Sequence, residues 1–299
     1  MMFTPALNII FSCLSAFLIT FVAIPKVIFF AERLRLIDLA GDRSSHQGSV
    51  PIFGGIAIFA GVMFSLLFWS ELANIQFILV SLLIVFFVGL IDDLLALSPT
   101  KKLIGQIISV LIIIYLQELK IDNMHGVLGI YSLSEIVSTL FTVFVVIVIT
   151  NAFNLIDGVD GLAGGIGIIA SAGFGFIAFV MGQVDMALIA FTLTGALVGF
   201  LKYNFHPARI FMGDTGSLVV GMILSILAIN SIQEGLVTAT ILLPNKGPLL
   251  AIVFLAIPLF DSLRVFVTRA SQGGNPLLPS KGHIHHALLD LGFGHKHTT

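Results

Sequence analysis

Asp92 and Asp93 stand side by side in Gly89-Leu90-Ile91-Asp92-Asp93, at the end of a long apolar run. Two adjacent carboxylates at the edge of hydrocarbon repel each other unless something positive compensates them, so a divalent cation or a basic partner is implied. Solvated acids ending a helix are the plainer alternative. Lys101 and Lys102 follow closely enough to contact phosphate or carboxylate groups. A second run, Asn151-Ala-Phe-Asn154-Leu-Ile-Asp157-Gly158-Val-Asp160-Gly161, repeats a polar residue every three positions directly after an apolar segment. In a helix that spacing keeps all four within one broad sector, suited to a base, a sugar or a metal-bound phosphate. A turn would explain Gly158 and Gly161 but not four polar residues in register.

Two further segments complete the set. Phe211-Met-Gly213-Asp214-Thr-Gly216-Ser217 offers a carboxylate between glycines at the start of another apolar run, where Asp214 can ligate Mg²⁺ while nearby amides face phosphate oxygens. As an ordinary helix cap, Asp214 or Ser217 would need no ligand. Lys281-Gly282-His283-Ile284-His285-His286 places three histidines in four positions. Neither cysteines nor a His-Glu-x-x-His pattern accompanies them, so hydrogen-bond donors for a diphosphate fit better than zinc, and a structural cluster stays open.

The elements that must position these groups are membrane helices. Of 299 residues, 58% are hydrophobic and 10% are charged, against roughly 25% charged in ordinary soluble domains. The mean hydropathy is +1.10. Nine candidate spans are read at roughly 5–30, 51–69, 75–91, 103–117, 133–150, 162–181, 185–202, 216–233 and 248–269. This predicts an all-α polytopic bundle forming one integral-membrane domain over the whole chain. Met1 to Asn8 carries no basic signal-peptide region and the apolar stretch is too long for one, so a retained first span is expected.

If the first connection is cytoplasmic, only Lys120 and Lys246 of the 14 lysines and arginines fall on the opposite side. That asymmetry places the amino terminus outside and the candidate residues, including Asp38 and His46, on the cytoplasmic face. A net charge of -2 and the lack of a basic patch exclude nucleic acid as a partner. Cys13, the single cysteine, excludes a disulfide framework and a cysteine metal site. Asp261 and Arg264, three apart, read as a structural ion pair. A secondary transporter with cation-binding acids is the rival reading, but its acids are expected near mid-bilayer and often with inverted repeats.

In order along the chain, RSSHQGSVPIFGG (Arg43 to Gly55), GLIDDLLALSPTKKLIGQ (Gly89 to Gln106), NAFNLIDGVDGLAGG (Asn151 to Gly165), FMGDTGS (Phe211 to Ser217) and HIHHAL (His283 to Leu288) resemble the polyprenyl-phosphate N-acetylhexosamine-1-phosphate transferase family. The resemblance implies transfer of a sugar-1-phosphate from a UDP-N-acetylhexosamine to undecaprenyl phosphate with release of UMP. That is the first membrane step of cell-wall, O-antigen (lipopolysaccharide) or teichoic acid synthesis, at the inner (plasma) membrane. It implies Mg²⁺, or Mn²⁺, held by Asp214, with Asp92 and Asp93 as the catalytic pair. Phe211 would stack on uracil and Asp160 bond its edge. Asn154 and Asp157 would line the nucleotide and metal pocket, Lys102 would stay near phosphate, and His283, His285 and His286 would contact the diphosphate or sugar. Asp38, His46 and Asn151 join the substrate-binding set, and a homodimer is a further expectation. The HIHH form resembles the branch using UDP-N-acetylglucosamine or a related amino sugar. Family members often carry Asp-Arg before it, where Ser280-Lys281-Gly282 stands here, and a Lys at Ser44 or Ser45. The family generally adds at least one span after this loop, so a chain shortened at its C-terminus is expected.

Overall fold

The computed structural model describes residues 4–34, 50–233 and 247–271. The helices are α1 (Pro5–Arg33), α2 (Gly54–Trp69), α3 (Leu72–Leu95), α4 (Pro99–Tyr115), α5 (Glu135–Ile156), α6 (Leu162–Val180), α7 (Val184–Asn204), α8 (Gly213–Gln233), α9 (Gly247–Phe254) and α10 (Ala256–Ser271). No strand longer than an isolated bridge between Asn123 and Ser132 occurs among the described residues. Asp38, His46, His283, His285 and His286 lie outside them.

Every apolar segment read from the sequence is helical, but the ninth is two helices bent by 76°. Pro258 gives the reason. It stands in the first turn of α10 and lacks the amide that would bond the carbonyl of Phe254, so α9 cannot run on through it. Six helices, α1, α3 and α5 to α8, are long and apolar enough to cross a membrane, and the bent pair makes up to seven. At 16 and 17 residues, α2 and α4 fall short of the roughly 20 residues a straight span needs.

The bundle is built around α8. It is apolar on all sides and every residue from Thr215 to Ile232 is buried, as expected of a helix with neighbours all round rather than one exposed stripe. Around it stand α2, α3, α5, α6, α7 and α9. Close approach comes from small residues, since apolar side chains gain little by leaving lipid for one another. Gly195 and Gly199 of α7 lie directly on the backbone of Cys13 and Phe17 in α1, and Gly221 of α8 lies on Thr150 of α5. Polar bonds cross the same seams, Thr20 Oγ1 to the Ala57 carbonyl (3.2 Å) and Ser81 Oγ to the Ser109 carbonyl (3.0 Å).

The start of α8 is gripped from two sides. Residues 51–55 pair with 211–212, where Phe211 N bonds the Pro51 carbonyl (2.8 Å), Gly54 N the Phe211 carbonyl (2.9 Å) and Gly55 N the Met212 carbonyl (2.9 Å). Gly55 and Gly89 sit so close to the backbone of Thr215 and Gly216 that a methyl group at either would collide with it. These glycines bring α2 and α3 onto the first turn of α8.

Candidate functional site

The ends of α3 and α5 and the beginnings of α4 and α8 meet at one end of the bundle, and each supplies a polar group there. Asp93 faces the start of α8. Its Oδ1 accepts from the Asp214 amide (2.8 Å) and its Oδ2 from the Thr215 amide (2.9 Å) and hydroxyl (2.5 Å). Those amides have no partner within the helix, and a carboxylate there also meets the positive end of the helix dipole. Asp93 therefore caps α8 from another helix.

Asp92, one residue earlier, points to different partners. Its Oδ1 accepts from the Leu97 amide (2.6 Å), which fixes the turn after α3. Its Oδ2 is 3.1 Å from Lys102 Nζ, which also donates to Asp214 Oδ2 at 2.5 Å. Asp214 Oδ1 accepts from Asn154 Nδ2 (2.5 Å), and the same amide reaches Ser217 Oγ (2.7 Å). The Asp92 and Asp214 carboxylates thus face the same ammonium, an arrangement that two like charges keep only with a positive group between them. Side-chain exposures of 15% for Lys102, 11% for Asp92 and 29% for Asp214 make the cluster enclosed yet reachable.

Asp157, at the end of α5, accepts from the Gly213 amide and lies near the charges of Asp214 and Asp93. Burial, then the Asp214 charge, pushes its carboxyl up to about 7, against the pull of the Gly213 bond. Among the described residues, Asp92 and Asp214 thus share the ammonium of Lys102, with Asp93 and Asp157 close to Asp214.

Asn151, one turn before Asn154, bonds Gln106 Oε1 (3.1 Å) and the Ile147 carbonyl (2.8 Å), joining α5 to α4 beneath the cluster. Asp160 is fully buried, and its Oδ2 accepts from the Ala208 amide (3.1 Å) and pairs with His206 Nδ1 (2.8 Å). Asn204 bonds the Gly161 amide (2.9 Å) and the Ile210 carbonyl (2.9 Å). The turn after α5 is thereby fastened to the segment leading into Phe211, which is half-buried. The structure thus gathers Asp92, Asp93, Lys102, Asn154, Asp157 and Asp214, and sets Asp160 in a neighbouring knot with His206. Asp261 and Arg264 form the expected pair at 3.3 Å.

Thr215, Ser217, Asn204, Gln106 and His206 escaped the sequence reading as site residues. Ser217 had a signal, since three residues beyond Asp214 it shares a helix face. His206 opens the polar segment that runs to Ser217, but nothing in the sequence gives its partner, 46 residues away.

A family model described as glycosyl transferase family 4 matches residues 75–232. The chain is 32% identical over 294 residues to an undecaprenyl-phosphate alpha-N-acetylglucosaminyl 1-phosphate transferase of Haemophilus influenzae, covering 96% of this chain and 79% of that protein. The chain belongs to glycosyl transferase family 4. It is also 33% identical over 307 residues to a decaprenyl-phosphate N-acetylglucosaminephosphotransferase of Mycolicibacterium smegmatis (95% and 76% covered). To the Pasteurella multocida protein with the same name as the Haemophilus one it is 33% identical over 294 residues (96% and 79%). The matched region holds all six clustered residues of this family 4 chain, from Asp92 in α3 to Asp214 in α8.

The donor set suits a hard divalent cation. Asp92 and Asp214 offer carboxylate oxygens, and the Lys102 ammonium already stands between them as a positive charge. Among the described residues no three His, Cys, Asp or Glu side chains converge as a ready-made metal cage. Mg²⁺ fits that pattern, since it is commonly held by one or two carboxylates with substrate phosphates and water completing its shell.

Proposed function

We propose that the chain transfers N-acetylglucosamine-1-phosphate, or a related N-acetylhexosamine-1-phosphate, from its UDP-sugar to undecaprenyl phosphate, releasing UMP. The observation that carries this reading is the meeting of Asp92, Asp214, Asn154 and Lys102 at one helical end of an apolar bundle. A lipid phosphate anchored at the membrane surface and a soluble nucleotide can both reach such an end. The names of the relatives point to the same acceptor and sugar.

In the reaction an oxygen of the lipid phosphate attacks the phosphorus bonded to the sugar. The new P–O bond forms as the bond to the bridging oxygen breaks, and UMP departs with that oxygen. Asp92 and Asp214 would hold Mg²⁺, which supplies positive charge to the phosphate oxygens and to the departing UMP. Lys102, beside them, adds a positive charge toward the phosphates, so two anions can approach. Asn154 orients Asp214, and Asp93 keeps the first turn of α8 where Asp214 needs it. Phe211 takes the uracil, and the buried knot of Asp160 with His206 and the Ala208 amide, together with Asn204, holds the segment leading into Phe211 at a fixed distance from the phosphates. The charge asymmetry supports a cytoplasmic site and an amino terminus outside, in the plasma membrane.

The test is conversion of radiolabelled UDP-N-acetylglucosamine into a chloroform-extractable lipid by purified protein supplied with undecaprenyl phosphate and Mg²⁺. A transporter would instead move label into proteoliposomes and form no lipid product. The gathering of the acids at helix ends, rather than part-way along them, supports the enzyme.

A further inference from the structure

Lys102 Nζ lies 2.5 Å from Asp214 Oδ2 and 3.1 Å from Asp92 Oδ2. These are oxygens a divalent cation would use. An ammonium and a divalent cation cannot both occupy the gap between them: metal–oxygen distances of about 2.0–2.1 Å would bring the ion against the ammonium. Lys102 has the reach to leave the gap. It sits in the first turn of α4, on a flexible four-carbon stem with three rotatable donors. Asn154, by contrast, is tied to Asp214 and Ser217 together.

Resting on the reading of Asp92 and Asp214 as the metal–phosphate site, we propose that Lys102 is a resident cation that holds this site closed to metal until nucleotide arrives. In the resting protein its ammonium occupies the gap between Asp92 and Asp214 and offsets their repulsion. When the donor enters, Lys102 leaves the gap and pairs its ammonium with a phosphate oxygen, opening both carboxylates. Metal alone must break two ion pairs and leave the ammonium without a counter-charge. Metal with a diphosphate gives Lys102 a new partner. Lys102 thereby couples metal and nucleotide, and by linkage each raises the other's affinity by the same factor. The device would keep the site from being loaded by free metal ions while no donor is present.

The experiment measures Mn²⁺ binding to the detergent-purified full chain by the electron paramagnetic resonance of free Mn²⁺, with and without UDP. Wild type should bind Mn²⁺ about tenfold or more tightly when UDP is present. Lys102→Met should bind Mn²⁺ about tenfold more tightly than wild type without UDP, and UDP should then add less than about threefold. Lys102→Arg, which keeps the charge, should stay near wild type without UDP. A wild-type arm needs no variant: acetylation of Lys102, followed by mass spectrometry, should speed up several-fold with saturating Mn²⁺ alone and slow again when UDP is added. Lys102→Met binding Mn²⁺ no more tightly than wild type, or acetylation of Lys102 indifferent to Mn²⁺, overturns the resident-cation role while leaving the metal site standing. Failure of every form to bind Mn²⁺ even with UDP overturns both.

Discussion

Adjacent carboxylates with different partners should fail in different ways. Asp93→Ala removes three bonds at the start of α8, from the Asp214 amide, the Thr215 amide and the Thr215 hydroxyl. Loss of a helix cap costs about 0.5–2 kcal/mol, and hydrogen bonds to a charged group are worth about 1.5–3 kcal/mol each. The three share one carboxylate and do not add, so a total of about 3 kcal/mol is expected. At about 2 °C per kcal/mol for a chain of this size, the melting temperature should fall by about 6 °C. Asp92→Ala loses the Leu97 bond and one ion pair but also ends the crowding against Asp214, so its melting temperature should stay within about 2 °C of wild type. Both variants should lose turnover. Thermal unfolding in detergent, followed by intrinsic fluorescence without divalent cations, makes the comparison. An Asp93→Ala protein that melts with wild type, or an Asp92→Ala protein that falls as far, would refute the division between a capping and a reacting carboxylate.

Asp157 titrates near 7, above the ordinary carboxyl value of about 3.9. Its stabilising effect is therefore complete at low pH and is lost as pH rises from about 4 through 7, at a cost of up to about 4 kcal/mol. Asp157→Asn, measured without divalent cations, should melt above wild type at pH 8 and with it at pH 4; an unchanged pH profile would contradict this. Phe211→Ala should weaken UDP binding by about tenfold or more, from a stacking loss of about 1–3 kcal/mol, as measured by titration calorimetry. Wild-type affinity in that variant would remove the base from Phe211. A cysteine at Ser98 in a Cys13→Ser background should react with an impermeant thiol reagent only from the cytoplasmic side, and labelling in intact cells would reverse the orientation.

The bundle was legible because a membrane helix must be apolar for most of its length, and α1 to α8 all announce themselves that way. The break between α9 and α10 was not, since the apolar run continues through Leu255 and a proline can be absorbed in a membrane helix. Apolar runs locate α2 and α4, but their helical lengths of 16 and 17 residues depend on where Trp69 and Tyr115 end them. At the site, Asp92, Asp93, Asn154, Asp157 and Asp214 stood out because polar residues at the end of an apolar run need a reason. Which of the two adjacent aspartates would cap α8 depended on the rotation of α3, set by the contact of Gly89 with Thr215. The knot of Asp160 with His206 is a long-range contact with no periodicity to betray it.

The central claim is that phosphate travels with the sugar. Purified protein given UDP-N-acetylglucosamine labelled with ³²P at the β-phosphorus, undecaprenyl phosphate and Mg²⁺ should move the label into the lipid and release UMP in equal amount, and Asp214→Ala should do neither. Release of UDP with the label still on the nucleotide would mean that the sugar moves without its phosphate, and would contradict the account.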